Sequence, residues 1–128
     1  MGNVYSAQNV ASYLIYELNE SNEFVNCMSI QHFLELVETR WQQAFGHTAF
    51  KEAVQSKEKG YIVKEVYDVY VEYADQHISL PATEYYLKYG TFQLVERTYA
   101  VPNFTPAEKK VAQAALAQYR YLQLRKAS

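Results

Sequence analysis

The chain has 128 residues, of which 49% are hydrophobic and 20% charged. That is too apolar for a disordered chain, and long enough for one domain to stand on its own core without metal or disulfide staples. A formal net charge of −2 argues against a general nucleic-acid binder, and no apolar run of about 18 residues is present to cross a membrane. The single Cys27 has no bridging partner, and Met1 to Gln8 carry no basic-then-apolar leader, so a reducing, cytoplasmic setting is expected.

The first predicted helix runs from about Ala7 to Asn19. Ser6 is its cap, and Val10, Ala11, Leu14, Ile15 and Leu18 form one apolar stripe. Asn19 to Asn22 is a polar break. The second helix carries the clearest pattern: Ile30, Phe33, Leu34, Val37, Trp41, Ala44 and Phe45 recur at steps of three and four. Ser29 is read as its N-cap and Gly46 as its left-handed stop. Phe50 to Gln55 fits either a short strand or a helical turn, and Lys57-Glu58-Lys59-Gly60 reads as a turn.

A third helix is expected over about Ile62 to Gln76, with Ile62, Val66, Val69, Tyr70 and Tyr73 on one face. Pro81 opposes its continuation. Thr83 to Lys88 reads as a helical turn stopped near Gly90, and Thr91 to Tyr99 as a strand or another short helix. The last helix opens on a capping box, Thr105-Pro106-Ala107-Glu108, with proline at the first helical position. Val111, Ala115, Tyr119 and Leu122 supply its apolar face. The same box makes Asn103-Phe104-Thr105 a helix entry rather than a glycosylation site. The expected fold is mainly α: a single domain over residues 1–128, a compact bundle of four to six helices with room for a small β-hairpin.

Charge is segregated along the chain. Residues 1–39 hold Glu17, Glu20, Glu23, Glu35 and Glu38 with no Lys or Arg, whereas residues 104–128 hold Lys109, Lys110, Arg120, Arg125 and Lys126 against Glu108. Two solvated faces that attract each other would explain this, and so would a basic terminal helix offered to an acidic partner.

No catalytic constellation emerges. His32, His47 and His77 lie far apart, and with one cysteine they lack the paired spacing of a zinc site, so no metal or cofactor is expected. Nucleotide-binding glycine loops and nucleophile elbows are absent. Cys27 with His32 or His77 is a triad in composition only, and Glu35 with Glu38 could share a proton but more often such pairs are surface charges. The 13 tyrosines stand out, because a large apolar body with a polar tip suits half-buried rims and partner surfaces.

Several segments resemble the Panacea domain family of phage-associated proteins. Tyr5-Ser6-Ala7-Gln8-Asn9-Val10-Ala11-Ser12-Tyr13-Leu14-Ile15 is similar to the family's tyrosine-bearing first helix, and Met28-Ser29-Ile30-Gln31-His32-Phe33-Leu34-Glu35 to its second. Arg40-Trp41-Gln42-Gln43-Ala44-Phe45-Gly46-His47-Thr48-Ala49-Phe50 resembles the stretch G-W-x-x-A-x-x-G-x-x-x-F. Gly60-Tyr61-Ile62-Val63-Lys64-Glu65-Val66-Tyr67 matches the second half of A-W-x-Y-G-P-V-x-x-x-V-Y, and Phe104 to Val111 its last helix entry. Core positions are kept. The family's basic positions in helix two are Ser29 and His32 here and its tyrosine is Glu35, while Lys57 and Lys59 replace a Trp and a Tyr, and Tyr61 a proline. The resemblance implies a non-enzymatic, antitoxin-like module that neutralises or delivers a partner toxin, encoded nearby, by direct contact. Arg40, Trp41, Tyr61, Tyr67 and Tyr70 are the residues expected to meet that partner. The alternative is a regulatory or DNA-associated protein of a phage or mobile element, suggested by the basic terminal helix. An enzyme or sensor would need a deep polar pocket that the sequence does not advertise.

Overall fold

The computed structural model describes residues 2–51, 54–57, 60–87, 90 and 92–127, with residues 54–57, 60–61, 84–87 and 125–127 as backbone. Four helices and two hairpins follow in the order α1 (Ala7–Glu20), α2 (Cys27–Phe45), β1 (Val54–Lys57), β2 (Gly60–Val63), α3 (Lys64–Tyr70), β3 (Thr83–Leu87), β4 (Leu94–Thr98) and α4 (Pro106–Ala127). The mainly α expectation holds, and both hairpins fall where the helical periodicity was weakest.

The helix ends obey their caps. The Ser6 side chain accepts from the Gln8 amide at the start of α1. Gly46 closes α2 at φ 77°, with its amide bonded to the Gln42 carbonyl. The N-cap of α2 is Asn26 rather than Ser29: its Oδ1 accepts from the Ser29 amide at 2.9 Å, so the helix begins at Cys27, earlier than the sequence suggested. The capping box of α4 forms in both directions. Glu108 Oε1 accepts from the Thr105 amide at 2.8 Å, and Thr105 Oγ1 accepts from the Glu108 amide at 3.3 Å.

The core is one cluster centred on α2. Ile30, Phe33, Leu34, Val37 and Trp41 meet Val10, Leu14, Ile15 and Leu18 of α1, and Ala112, Ala115, Leu116 and Tyr119 of α4. Burying each large apolar side chain contributes roughly 1.5–3 kcal/mol before the entropy of ordering it is subtracted. Helix α2 thus has a neighbour on each flank, which is why its apolar stripe reads so cleanly in the sequence.

The third element differs from its expectation. Ile62 and Val63 belong to β2, paired antiparallel with Gln55 and Val54, and helix α3 begins only at Lys64. The cause is Gln31, a buried side chain of α2 that clamps the backbone of Val63: its Oε1 accepts from the Val63 amide at 2.8 Å. That tertiary bond holds Val63 extended. Helix α3 is continued by a short 3-10 turn, Val71–Tyr73, and then stops.

The stop is a tight turn over residues 73–76, closed by the Gln76 amide on the Tyr73 carbonyl at 2.9 Å. Ala74 occupies its first central position at φ 52° and ψ −123°, the geometry of a type II′ turn, which favours glycine. The segment from Ala74 to Ala82 then runs back as a strap, pinned by the fully buried Ile78.

Beyond the strap, Thr83 to Leu87 is a strand and not a helical turn. It pairs antiparallel with β4 from Thr83↔Thr98 to Leu87↔Leu94, and the Tyr99 amide continues the ladder onto the Ala82 carbonyl. Gly90 sits between them at φ 75°. Among the described residues this hairpin packs mainly on itself, whereas β2 lies against α2.

Candidate functional site

Of the five residues expected to meet a partner, the four whose side chains are described do not share a surface. Trp41 is only 1% exposed; its ring packs edge-on to Tyr5 and Phe45, and its Nε1 donates to the Asn3 carbonyl at 3.1 Å. Tyr70 is fully buried and its hydroxyl accepts from the Ala82 amide at 2.9 Å; burial pushes the phenol up to about 12. Both are therefore corrected to core residues, because the structure closes over their rings on every side. Tyr67 is half-buried against the same core. Arg40 is half-buried, donating from Nε to Gln118 Oε1 at 2.9 Å. It lines a shallow recess of about 320 Å³ with Gln43, Ala44, Lys110, Val111 and Ala114. Tyr61 lies in β2 opposite Ser56, where the backbone alone is described.

The residues considered for chemistry are also dispersed. Cys27 is buried and its thiol is pushed up by that burial, which disfavours the nucleophilic thiolate. His32 lies edge-on to Tyr119. Glu38 is turned inward and accepts from the Ala49 amide at 2.9 Å, while Glu35 is exposed. No group of three or more His, Cys, Asp or Glu is placed to hold a metal ion among the described residues, and no described helix is long and apolar enough to cross a membrane.

Among the described residues, the segregated charges meet at one ion pair. Arg120 of α4 pairs with Glu23 at 2.8 Å and also reaches Ser21. Lys109 and Lys110 stay exposed. Glu108, the one acid of the basic segment, is buried beneath the N-terminal segment and accepts from the Asn3 amide and from the Tyr5 hydroxyl at 2.6 Å. Burial alone would raise its carboxyl, but hydrogen bonds from Tyr5, Asn3 and Thr105 outweigh that and hold it below the ordinary glutamate value.

Exposed apolar surface lies where sequence reasoning did not look. Phe92, in the connection between β3 and β4, is 99% exposed. Leu94 on β4, Leu80 on the strap and Val101 after the hairpin are exposed as well. Leu94, Glu96 and Thr98, which share one face of β4, are open to solvent, while Val95 on the other face is half-buried. A second exposed pair, Tyr121 and Leu124, edges a groove of about 460 Å³ between α1 and α4 that Tyr13, Glu17, Leu116 and Arg120 also line. The signal missed for Phe92 was its context: an aromatic two residues after Gly90, in a connecting segment rather than an apolar stripe.

Fold and surface together define a mainly α domain with a projecting hairpin. No protein-family model, curated protein or solved structure matches the chain.

Proposed function

We propose that this protein is a non-enzymatic protein-binding module that docks its partner through the β3–β4 hairpin. The observation that carries the reading is the nearly complete exposure of Phe92, near an exposed Leu94, on a hairpin that among the described residues packs mainly on itself. An isolated two-stranded hairpin is marginal in water, and a fully solvated phenylalanine contributes nothing to the core. Both features make sense where a partner completes the structure, since interface energy concentrates in a few aromatic anchors. The resemblance of several segments to the Panacea domain family supports a partner of the toxin class, neutralised or delivered by direct contact.

The test is co-expression with the product of the neighbouring gene. Association is expected, with relief of any growth defect, and Phe92→Asp should weaken it at least tenfold while leaving the melting temperature unchanged. Failure to associate, or association indifferent to both Phe92→Asp and Leu94→Asp, would sink the reading. The DNA-associated alternative has less to stand on, because Arg120 is already engaged by Glu23 and Arg40 by Gln118. It would require a salt-sensitive shift of DNA mobility that vanishes with Lys109→Glu and Lys110→Glu.

A further inference from the structure

His77 links the strap to the α1–α2 connection through a closed set of hydrogen bonds. Its Nδ1 accepts from the Val25 amide at 3.1 Å, and its Nε2 lies 2.7 Å from Asn19 Oδ1. Asn19 in turn donates from Nδ2 to the carbonyls of Ile15 at 2.7 Å and Ile78 at 3.0 Å. The Ile78 amide donates to the Val25 carbonyl at 2.8 Å.

These contacts fix the protonation state. A backbone N–H can only donate, so Nδ1 must present a lone pair to Val25. The Asn19 amide nitrogen is occupied by two carbonyls, so its oxygen faces Nε2, and Nε2 must carry the hydrogen. The set closes only around a neutral imidazole protonated at Nε2.

From this geometry we infer that His77 is a protonation-gated latch for the strap of residues 74–82. A proton on Nδ1 sets two donors against each other and removes the bond to Val25. The strap then keeps Ile78 as its anchor and the Nε2 bond to Asn19, but loses the tie from the His77 side chain to the Val25 amide. The hairpin springs directly from this strap, since Ala82 leads into β3 at Thr83. Acidification therefore loosens the root of the projecting hairpin.

The surroundings do not obstruct this. Asn19 from α1, and Asn22, Glu23 and Phe24 from the connection, line the same shallow recess as His77. Glu23 is the titratable group facing it there, and its carboxylate is held by Arg120 of α4. Asp75, two residues earlier on the strap, is exposed. His47 is the counter-example within the chain: both of its ring nitrogens lie 2.7 Å from carbonyl oxygens, of Thr48 and Gly2, so a second proton there would gain a bond.

The latch is tested on the full chain by nitrogen-15 NMR, whether or not the hairpin binds a partner. At neutral pH the His77 ring should show the Nε2–H tautomer. As acidification protonates the ring, followed by its own nitrogen-15 shifts, hydrogen exchange at the Val25 amide should rise about five-fold beyond its intrinsic pH dependence, the loss of one modest hydrogen bond. In His77→Asn, whose side-chain oxygen still accepts, that extra rise should disappear while the His47 response stays. An Nδ1–H tautomer at neutral pH, or an unaltered Val25 profile on acidification, would overturn the latch. Should His77→Asn not fold, the wild-type tautomer and exchange profile still decide it.

Discussion

Trp41 and Phe92 are large aromatic side chains of one chain, yet the first is 1% exposed and the second 99%. Trp41 lies on a four-turn stripe with a helix on either flank and a hydrogen-bond acceptor for its indole. Phe92 lies beyond a left-handed glycine, at the end of a hairpin that rests chiefly on itself. The contrast separates surface that stabilises the fold from surface that the fold leaves available. A ring contributes to folding only where neighbouring elements exclude water from it.

The sharpest way to break the comparison is to truncate both rings. Trp41→Ala should cost about 3–5 kcal/mol of stability, because it empties a packed volume and orphans the Asn3 carbonyl. Phe92→Ala should stay within about 0.5 kcal/mol of the parent. Urea unfolding of the two variants checks this directly, and equal losses would mean that the hairpin tip folds back onto the body.

The next effect concerns Glu108, which ties the N-terminal segment to α4. Glu108→Gln should cost about 1–3 kcal/mol, because its amide group would face donors. Its carboxyl sits below the ordinary value in the folded state, so the carboxylate stabilises the fold at neutral pH. That contribution is lost as pH falls through the folded value. The acid limb of the stability profile should therefore be shallower in Glu108→Gln than in the parent.

A smaller change sharpens the comparison at the root of the hairpin. Ala74→Gly should stabilise the protein by up to about 1 kcal/mol, since relief of a strained positive φ outweighs the extra entropy of glycine in the unfolded chain. Thermal denaturation would register this as a rise of a few degrees. The smallest effect belongs to the Arg120–Glu23 pair, half exposed and open to salt. A double-mutant cycle should give about 0.2–1 kcal/mol, shrinking as ionic strength rises.

Much of the helical body was legible in the sequence. The stripes of α1 and α2, the Ser6 cap, the Gly46 stop and the Thr105–Glu108 box all depend on residues two to four apart, and such local geometry repeats wherever the pattern occurs. The candidate site was not legible. Trp41 and Tyr70 look like binding aromatics in a linear reading, and nothing in their immediate neighbours shows that α1, α4 and the strap close over them.

The sequence by itself determined that the chain is mainly α, where three of its helices lie and how two of them are capped. Those outcomes rest on side-chain periodicity and on hydrogen bonds between near neighbours. Only the tertiary structure decided that Ile62 and Val63 extend into a strand, that Glu108 is buried, that His77 accepts from the Val25 amide, and that Phe92 is left bare. Each of those depends on groups brought together from distant parts of the chain: Gln31 against Val63, Asn3 and Tyr5 against Glu108, Val25 and Asn19 against His77. Such pairings leave no trace in local spacing, because their energy exists only after the chain has closed on itself.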